Sequence, residues 1–131
     1  ELYEPLAQEK QIHLSSDIMD SAVVTGDSDL LFQLLANLFD NAIKFSPPGS
    51  SITLQLAQSN DRIIFRISDG GPGIPDHEKE KVFRHFYRGD SSRHTPGSGL
   101  GLSLAKAIAE YHGAQIMLED ANPGLCVKIT F

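Results

Sequence analysis

The sequence is poor in the features that mark secreted, membrane-spanning and nucleic-acid-binding proteins. It contains one cysteine, Cys126, which excludes an internal disulfide framework and is typical of a reducing compartment. No apolar run approaches the roughly 18 residues of a membrane span, and no signal peptide is visible. The formal net charge is −6, so we expect no nucleic-acid partner. Any anionic ligand must be held locally.

What is present is the composition of an ordinary globular domain. The 131 residues are 40% hydrophobic and 21% charged, without repeats, which is enough for one sizeable core. We therefore expect residues 1–131 to form a single domain. Because the chain begins at Glu1 rather than at a methionine, we interpret it as a fragment of a larger chain.

The strongest pattern predicts a buried amphipathic helix over residues 30–46. Asp27 suits the N-cap position, and Ser46-Pro47-Pro48 ends the helix because proline cannot continue it. At about 100° of rotation per residue, the apolar residues form one broad stripe. Its members are Leu31, Phe32, Leu34, Leu35, Leu38, Phe39, Ala42 and Ile43.

A polar strip borders this stripe. Asn37, Asn41 and Lys44 are spaced i, i+4, i+7 and should line a cleft. They could be surface filler, but each mid-helix asparagine costs roughly half a kcal/mol against alanine, and three polar residues in register favour a ligand site. Asparagine oxygens suit Mg²⁺ only when phosphates and water supply most of the coordination shell. The strip therefore points to a metal nucleotide.

Alternating apolar residues predict the sheet. Residues 11–15 and 21–25 are typical of short strands, residues 52–56 and 63–67 of a hairpin around a turn at 58–61, and residues 115–118 and 125–131 of a closing hairpin. A second helix is predicted from the glycines at 97–101 to a C-cap at Gly113. The pattern predicts an α+β two-layer sandwich, with both helices on one face of a mixed, mostly antiparallel sheet.

A glycine-rich loop follows the strand that ends at Ser68. The segment from Asp69 to Pro75 reads DGGPGIP, and a tight turn is the ordinary explanation. That explanation leaves an acidic residue at the end of a buried strand unaccounted for. A carboxylate at Asp69 can accept a hydrogen bond from the exocyclic amine of a purine, and Gly71 and Gly73 allow a flat base to approach the main chain.

Residues 79–99 are interpreted as an aromatic turn followed by a mobile lid. The segment at 79–88 interleaves aromatic and basic residues, and the segment at 89–99 is polar and aperiodic. Arg88 and Arg93 could reach phosphate from it. The glycines at 97–101 open a helix whose free N–H groups suit phosphate oxygens. They match neither GxGxxG nor GxxxxGK[ST].

Four motifs, in this order and with similar gaps, resemble those of the ATP-binding catalytic domain of sensor histidine kinases. NLFDNAIKFS is similar to the asparagine box, DGGPG to the first glycine box, FRHFYR to the aromatic box and GSGLGL to the second glycine box. The resemblance covers essentially the whole chain. It implies the Bergerat ATP-binding fold, shared with gyrase-type topoisomerases, mismatch-repair ATPases and a class of heat-shock chaperones, and it implies ATP and Mg²⁺ as cofactors.

The resemblance also implies roles for individual residues. It makes Asn41 a Mg²⁺ ligand, with Asn37 as a second or water-mediated contact, and it places Lys44 near the phosphates or ribose. Asp69 would hold the adenine amine. The other implied contacts to base, pocket wall and triphosphate are Phe45, Gly71, Gly73, Ile74, Tyr87, Arg88, Gly97, Ser98, Gly99, Leu100 and Gly101. Leu125 departs from the family, where a glycine-threonine run is often found before the last strand.

In the family the phosphate acceptor is a histidine on a separate dimerisation domain. None of the five histidines here has the sequence setting that resembles an acceptor: His13, His77, His85, His94 and His112. The resemblance therefore implies a fragment with no catalytic residue beyond those that position ATP. Its partners would be the histidine-containing domain of the same receptor and a downstream response regulator. We expect the isolated domain to be a monomer, from the cytoplasmic part of an inner-membrane bacterial receptor.

Two other functions stay open. A conformational ATPase of the gyrase or chaperone type would resemble this chain, but those relatives carry a glutamate four residues before the metal asparagine. Here Asn37 occupies that position and cannot take a proton from water. A module that has lost ATP and works through protein contacts is the third possibility, and nucleotide affinity would distinguish it.

Overall fold

The computed structural model describes residues 11–18, 26–73, 75–79, 101–121 and 124–131. Their elements, in chain order, are β1 (His13–Ile18), α1 (Ser28–Phe45), β2 (Ser51–Ser59), β3 (Arg62–Ser68), a 3-10 turn (Asp76–Glu78), α2 (Gly101–Tyr111), β4 (Gln115–Asp120) and β5 (Leu125–Thr130). The strand order in the sheet is β1-β2-β3-β5-β4. Only the β1–β2 pair is parallel, and the other three pairs are antiparallel. Within these ranges, neither helix is long and apolar enough to cross a membrane.

The two helices pack against each other and share one hydrophobic core with the sheet. The core takes alternate residues from the central strands, including Ile52, Ile67 and Ile129, which are almost inaccessible to solvent. This arrangement confirms the predicted α+β two-layer sandwich with a mixed, mostly antiparallel sheet.

Helix α1 begins and ends at the predicted signals. Asp27 is its N-cap, and the Asp27 Oδ1 accepts hydrogen bonds from the backbone N–H groups of Asp29 at 3.0 Å and Leu30 at 3.1 Å. The predicted buried stripe is partly wrong, because Phe32 is 61% exposed and Leu35 is 36% exposed. Eight apolar residues cover a wider arc than a helix can bury against one surface. The fully buried members are Leu34, Leu38, Phe39 and Ala42.

The β2–β3 hairpin is confirmed, with a turn shorter than predicted. Only Asn60 and Asp61 lie between the strands, both with positive φ. The first strand, His13–Ile18, is shifted from the predicted residues 11–15, because pairing with β2 runs from His13 opposite Ser51 to Ile18 opposite Leu56. The predicted strand at 21–25, the aromatic turn beyond Lys79 and the predicted lid at 89–99 lie outside the described residues.

The end of α2 is tied to the start of α1 through His112. The His112 Nδ1 lies 2.8 Å from the Ile108 carbonyl oxygen and donates to it, so the Nε2 accepts a hydrogen bond from the Asp27 backbone N–H at 3.0 Å. Helix α2 ends at Tyr111, and Gly113, which was predicted as its C-cap, follows two residues later with φ of +70°. This histidine therefore helps to fix the relative position of the two helices.

Strands β3 and β5 lie side by side at the centre of the sheet, and this pairing positions the site. Their antiparallel register puts Ser68, the last residue of β3, opposite Cys126 near the start of β5. Leu125, Val127 and Ile129 are buried, as the alternation predicted. The chain entering β5 is therefore next to the glycine-rich loop that leaves β3.

Candidate functional site

The carboxylate of Asp69 is held by main-chain groups. Its Oδ1 accepts hydrogen bonds from the backbone N–H of Gly71 at 2.9 Å and from the backbone N–H of Leu125 at 3.1 Å. The Asp69 backbone N–H in turn donates to the Leu125 carbonyl oxygen at 3.0 Å. No described residue donates a hydrogen bond to the Oδ2. One carboxylate oxygen therefore fixes the side chain, and the other has no donor within the described ranges.

The electrostatics of Asp69 suit an acceptor in a pocket. Burial raises the pKa of its carboxyl above the ordinary value, and the hydrogen bonds from the Gly71 and Leu125 backbones offset part of that rise. A half-buried carboxylate whose charge is only partly compensated gains from a donor group on a ligand. An exocyclic amine is such a donor.

The glycine loop is attached to the C-terminal end of α1. The Gly70 backbone N–H donates to the Ser46 Oγ at 3.3 Å, and Ser46 is completely buried. A Cβ at Gly71 would lie 2.3 Å from the Phe45 carbonyl oxygen, closer than any real side chain approaches, so only glycine fits there. The structure thus brings the Phe45 backbone, Asp69 and Gly71 close together.

The asparagine strip lies further along α1, where Asn37, Asn41 and Lys44 are all half-buried. The Asn37 Nδ2 is fully buried, and no described atom accepts a hydrogen bond from it. Buried polar groups are nearly always paired, so this donor is an exception within the part of the chain that the structure describes, and a ligand or a bound water would satisfy it.

This donor chemistry fits a magnesium nucleotide in a specific way. The Asn37 Nδ2 can bond a phosphate oxygen or a metal-bound water, but an N–H group cannot itself ligate Mg²⁺. The Asn41 side chain offers an amide oxygen, which is a hard ligand of the kind that Mg²⁺ accepts. The residues present therefore fit Mg²⁺ through Asn41, with Asn37 acting through water or phosphate.

The other predicted site residues are only partly described. Gly73 has φ of +75° and lies against the chain that enters β5, since a Cβ there would be 3.0 Å from the Gly124 carbonyl oxygen. Gly101 is the first residue of α2. The remaining predicted contacts lie outside the described residues: Ile74, Tyr87, Arg88, Gly97, Ser98, Gly99 and Leu100.

Two residues of the site were missed by the sequence reasoning. Ser46 was interpreted only as a helix end, and Gly124 was assigned no role, yet Ser46 bonds the glycine-rich loop and Gly124 packs directly on Asp69. The position of Ser46 directly before Pro47-Pro48 was a weak sequence signal that it has a role beyond ending the helix. The sequence offered none for Gly124, because its neighbour Asp69 is far away along the chain.

The sequence matches the family described as histidine kinase-, DNA gyrase B- and HSP90-like ATPase over residues 26–131. It is 44% identical over 104 residues to the signal transduction histidine-protein kinase/phosphatase MprB of Mycobacterium tuberculosis, a match that covers 77% of this chain and 20% of that protein. The chain spans about a fifth of the length of the curated relatives it matches.

Solved structures of similar proteins share the fold. The mycobacterial sensor histidine kinase MprB superposes with a TM-score of 0.86 at 32% identity, covering 98% of this chain and 87% of that one. The catalytic domain of histidine kinase ThkA superposes with a TM-score of 0.87 at 26% identity, covering 99% of this chain and 84% of that one. The similarity therefore extends over almost the whole domain.

Proposed function

The chain belongs to the histidine kinase-, DNA gyrase B- and HSP90-like ATPase family, within which it is a catalytic ATP-binding domain of the histidine-kinase type, and from this we propose its role. It binds ATP and presents the γ-phosphoryl group to a histidine on a separate dimerisation domain. The residues that we assign to ATP are those on α1, on the glycine loop and at the start of α2.

The observation that carries this proposal is the Asp69 carboxylate, which accepts hydrogen bonds from described residues at only one of its two oxygens. Its Oδ1 is bonded by two backbone N–H groups, and its Oδ2 is left to accept the adenine amine. We also assign to the base the two glycines Gly71 and Gly73, whose missing side chains leave room for a flat ring, together with Phe45, Ile74 and Tyr87. This arrangement selects a purine that carries an exocyclic amino group.

The triphosphate end relies on the asparagine strip and on the glycines that precede α2. Asn41 would supply an amide oxygen to Mg²⁺, Asn37 would donate to a phosphate or to a metal-bound water, and Lys44 would contact the phosphates or ribose. When bound, Mg²⁺ neutralises charge on the phosphate oxygens during transfer. The remaining contacts are backbone groups and one lid cation: Gly97, Ser98, Gly99, Leu100, Gly101 and Arg88.

We place this domain in a larger receptor. Residues 1–131 act as one domain of a longer chain. Their partners are a histidine-containing dimerisation domain of the same receptor and a downstream response regulator. The isolated domain is monomeric and works on the cytoplasmic side of an inner membrane. These assignments are supported by the similarity to longer sensor kinases, of whose length the match covers about a fifth.

Calorimetric titration tests the proposal most directly. The domain is titrated with ATP and ADP, with and without Mg²⁺, beside Asp69→Asn. We expect micromolar to sub-millimolar binding of both nucleotides by the native domain and loss of binding in the variant. If the native domain bound neither nucleotide under any of these conditions, the proposal would be wrong and a protein-interaction module would be the better reading.

A second experiment distinguishes the kinase from a conformational ATPase. The native domain is mixed with radiolabelled ATP, Mg²⁺ and a supplied dimerisation domain from a related kinase. We expect label on the acceptor histidine and slow or absent hydrolysis when no acceptor is present. Rapid ATP turnover that survived Asn37→Ala would instead favour a gyrase-like or chaperone-like ATPase.

A further inference from the structure

The orientation of the Asp69 carboxylate depends on how closely the chain before β5 approaches it. The Leu125 N–H reaches the Oδ1 at 3.1 Å, and the Asp69 N–H reaches the Leu125 carbonyl oxygen at 3.0 Å. These two hydrogen bonds join the residue after β3 to the first residue of β5. If that end of β5 moved away, the Oδ1 would lose one of its two donors, and only the Gly71 N–H would still orient the side chain.

Gly124 is what permits this approach. A Cβ at Gly124 would lie 1.9 Å from the Asp69 carbonyl oxygen and 2.8 Å from the Asp69 Oδ1. Both separations are shorter than those that real Cβ atoms show, and the nearer obstacle is backbone that cannot rotate out of the way. Gly124 also has φ of +103°, a conformation that side chains disfavour. Any other residue must push β5 and Asp69 apart.

We propose that Gly124 is a positioning residue for base recognition, which acts by letting the Leu125 N–H clamp one carboxylate oxygen so that the other faces the exocyclic amine of adenine. This inference rests on the proposed function of Asp69. Gly124 lies 55 residues away from Asp69 along the chain. Through Asp69, it would help to select aminopurine nucleotides over other purines. The contact is made by the backbone N–H of Leu125 and not by its side chain.

The test compares ATP with purine riboside triphosphate, which lacks only the 6-amino group. Affinities for both nucleotides are measured by calorimetry for the native domain and for Gly124→Ala. A hydrogen bond to a charged group is typically worth tenfold or more in affinity, so we expect the native domain to prefer ATP by about tenfold or more. In Gly124→Ala we expect that preference to fall to about twofold, because the affinity for ATP drops while that for the analogue changes little.

Gly113→Ala is the matched control. Gly113 also has positive φ, at +70°, but a Cβ there meets nothing within 4 Å, and the residue lies at the far end of α2. It therefore carries the backbone strain of a left-handed residue without the clash. We expect its preference for ATP to equal that of the native domain.

The outcomes separate this inference from the function on which it rests. Failure of the native domain to bind ATP, or to prefer it over the analogue, contradicts the proposed role of Asp69. A native preference that Gly124→Ala preserves, with both affinities reduced by the same factor, contradicts the positioning role alone. If Gly124→Ala does not fold, leucic acid incorporated at position 125 replaces the donor N–H by an ester oxygen and keeps both the side chain and Gly124, and the same loss of preference is expected.

Discussion

The two polar side chains that define the ends of the site are held in opposite ways. The Asp69 Oδ1 receives two backbone hydrogen bonds, whereas the buried Asn37 Nδ2 has no acceptor among the described residues. The end that we assign to adenine is therefore held by backbone groups of the protein itself. The end that we assign to phosphate carries a buried donor with no acceptor among the described residues. Under the proposed function, base selection would be built into the fold, and the metal-phosphate contacts would be completed on binding.

Both arrangements lower the stability of the empty domain. A buried donor without a partner costs about 1–3 kcal/mol, and burial of the Asp69 carboxylate disfavours its charged form. Sites that bind charged ligands commonly carry such costs, since the same groups become favourable when the ligand pairs with them. Substitutions that relieve either cost should therefore stabilise the protein and weaken nucleotide binding.

The largest effect is expected for Asp69→Asn. The asparagine keeps an oxygen for the Gly71 and Leu125 N–H groups but turns an N–H donor toward the adenine amine, so ATP affinity should fall by about fiftyfold or more. Calorimetry measures the affinity. An affinity within a factor of three of the native value would contradict the role assigned to the Oδ2.

The same variant should be at least as stable as the native domain near neutral pH. Because the pKa of Asp69 is raised in the folded state, its protonated form is favoured there, and this contribution is lost as the pH rises through the folded-state pKa. The stability advantage of Asp69→Asn should therefore be absent in acid and appear above the ordinary carboxyl range. Thermal melts from pH 3.5 to pH 7.5 measure it, and an advantage confined to acid would reverse the argument.

Asn37→Leu tests the other end of the site. Replacing the unpaired amide by an apolar side chain of similar volume removes the cost of a buried donor, so the free energy of unfolding should rise by about 1 kcal/mol. Affinity for Mg²⁺·ATP should fall about tenfold, because the donor to phosphate or metal-bound water is lost. Urea denaturation and calorimetry give the two numbers.

Gln33→Leu is the control for that experiment. Gln33 is an exposed residue on the same helix, so the same kind of substitution there should leave both stability and Mg²⁺·ATP affinity nearly unchanged. A loss of stability in Asn37→Leu would show that the native amide is satisfied, and the contrast with Asp69 would then disappear.

His112→Ala should weaken the contact between the start of α1 and the end of α2. The alanine cannot accept from the Asp27 N–H, so the start of α1 loses its tie to the end of α2, and we expect a loss of about 1–2 kcal/mol in the free energy of unfolding. The tie lies about 27 Å from the Phe45 end of α1, at 1.5 Å per residue, so the preference for ATP over purine riboside triphosphate should persist. His13→Ala, at an exposed position on β1, is the control for removal of an imidazole.

Local sequence signals predicted the parts of the site whose causes are local. The Asp27 cap and the Ser46-Pro47-Pro48 stop bounded α1, and the alternation of apolar residues placed Asp69 at the end of a buried strand. The i, i+4, i+7 spacing placed the asparagine strip at the border of the core. Each of these features depends on residues that lie close together in the sequence.

The parts that could not be predicted depend on distant contacts. The hydrogen bond from Gly70 to Ser46 joins residues 24 positions apart, and that from Leu125 to Asp69 joins residues 56 apart. The periodicity of apolar residues in the sequence does not predict which residue the sheet register places beside a loop. The exposure of Phe32 and Leu35 has the same origin, because the width of the surface that covers α1 is set by elements elsewhere in the chain.

The smallest effect is expected for Lys79→Met, at the end of the segment that carries the glycine loop. The Lys79 Nζ bonds Asp120 Oδ1 at 2.8 Å and also pairs with Asp76, but both carboxylates are well exposed, so solvent screens the interaction. The hydrogen bond from Lys79 lowers the pKa of Asp76, and the hydrogen bonds to Asp120 and Asp76 raise that of Lys79. The contribution of Asp76 to stability is therefore present above the ordinary carboxyl range and is lost as the pH falls, and that of Lys79 is lost only in strong base.

For Lys79→Met we expect a slight drop in melting temperature at neutral pH that shrinks in acid and in high salt, with the preference for ATP unchanged. A double-mutant cycle with Asp120→Asn measures the coupling; a large coupling that salt did not weaken would mean that this ion pair, rather than the backbone clamp on the Asp69 Oδ1, holds the loop in place.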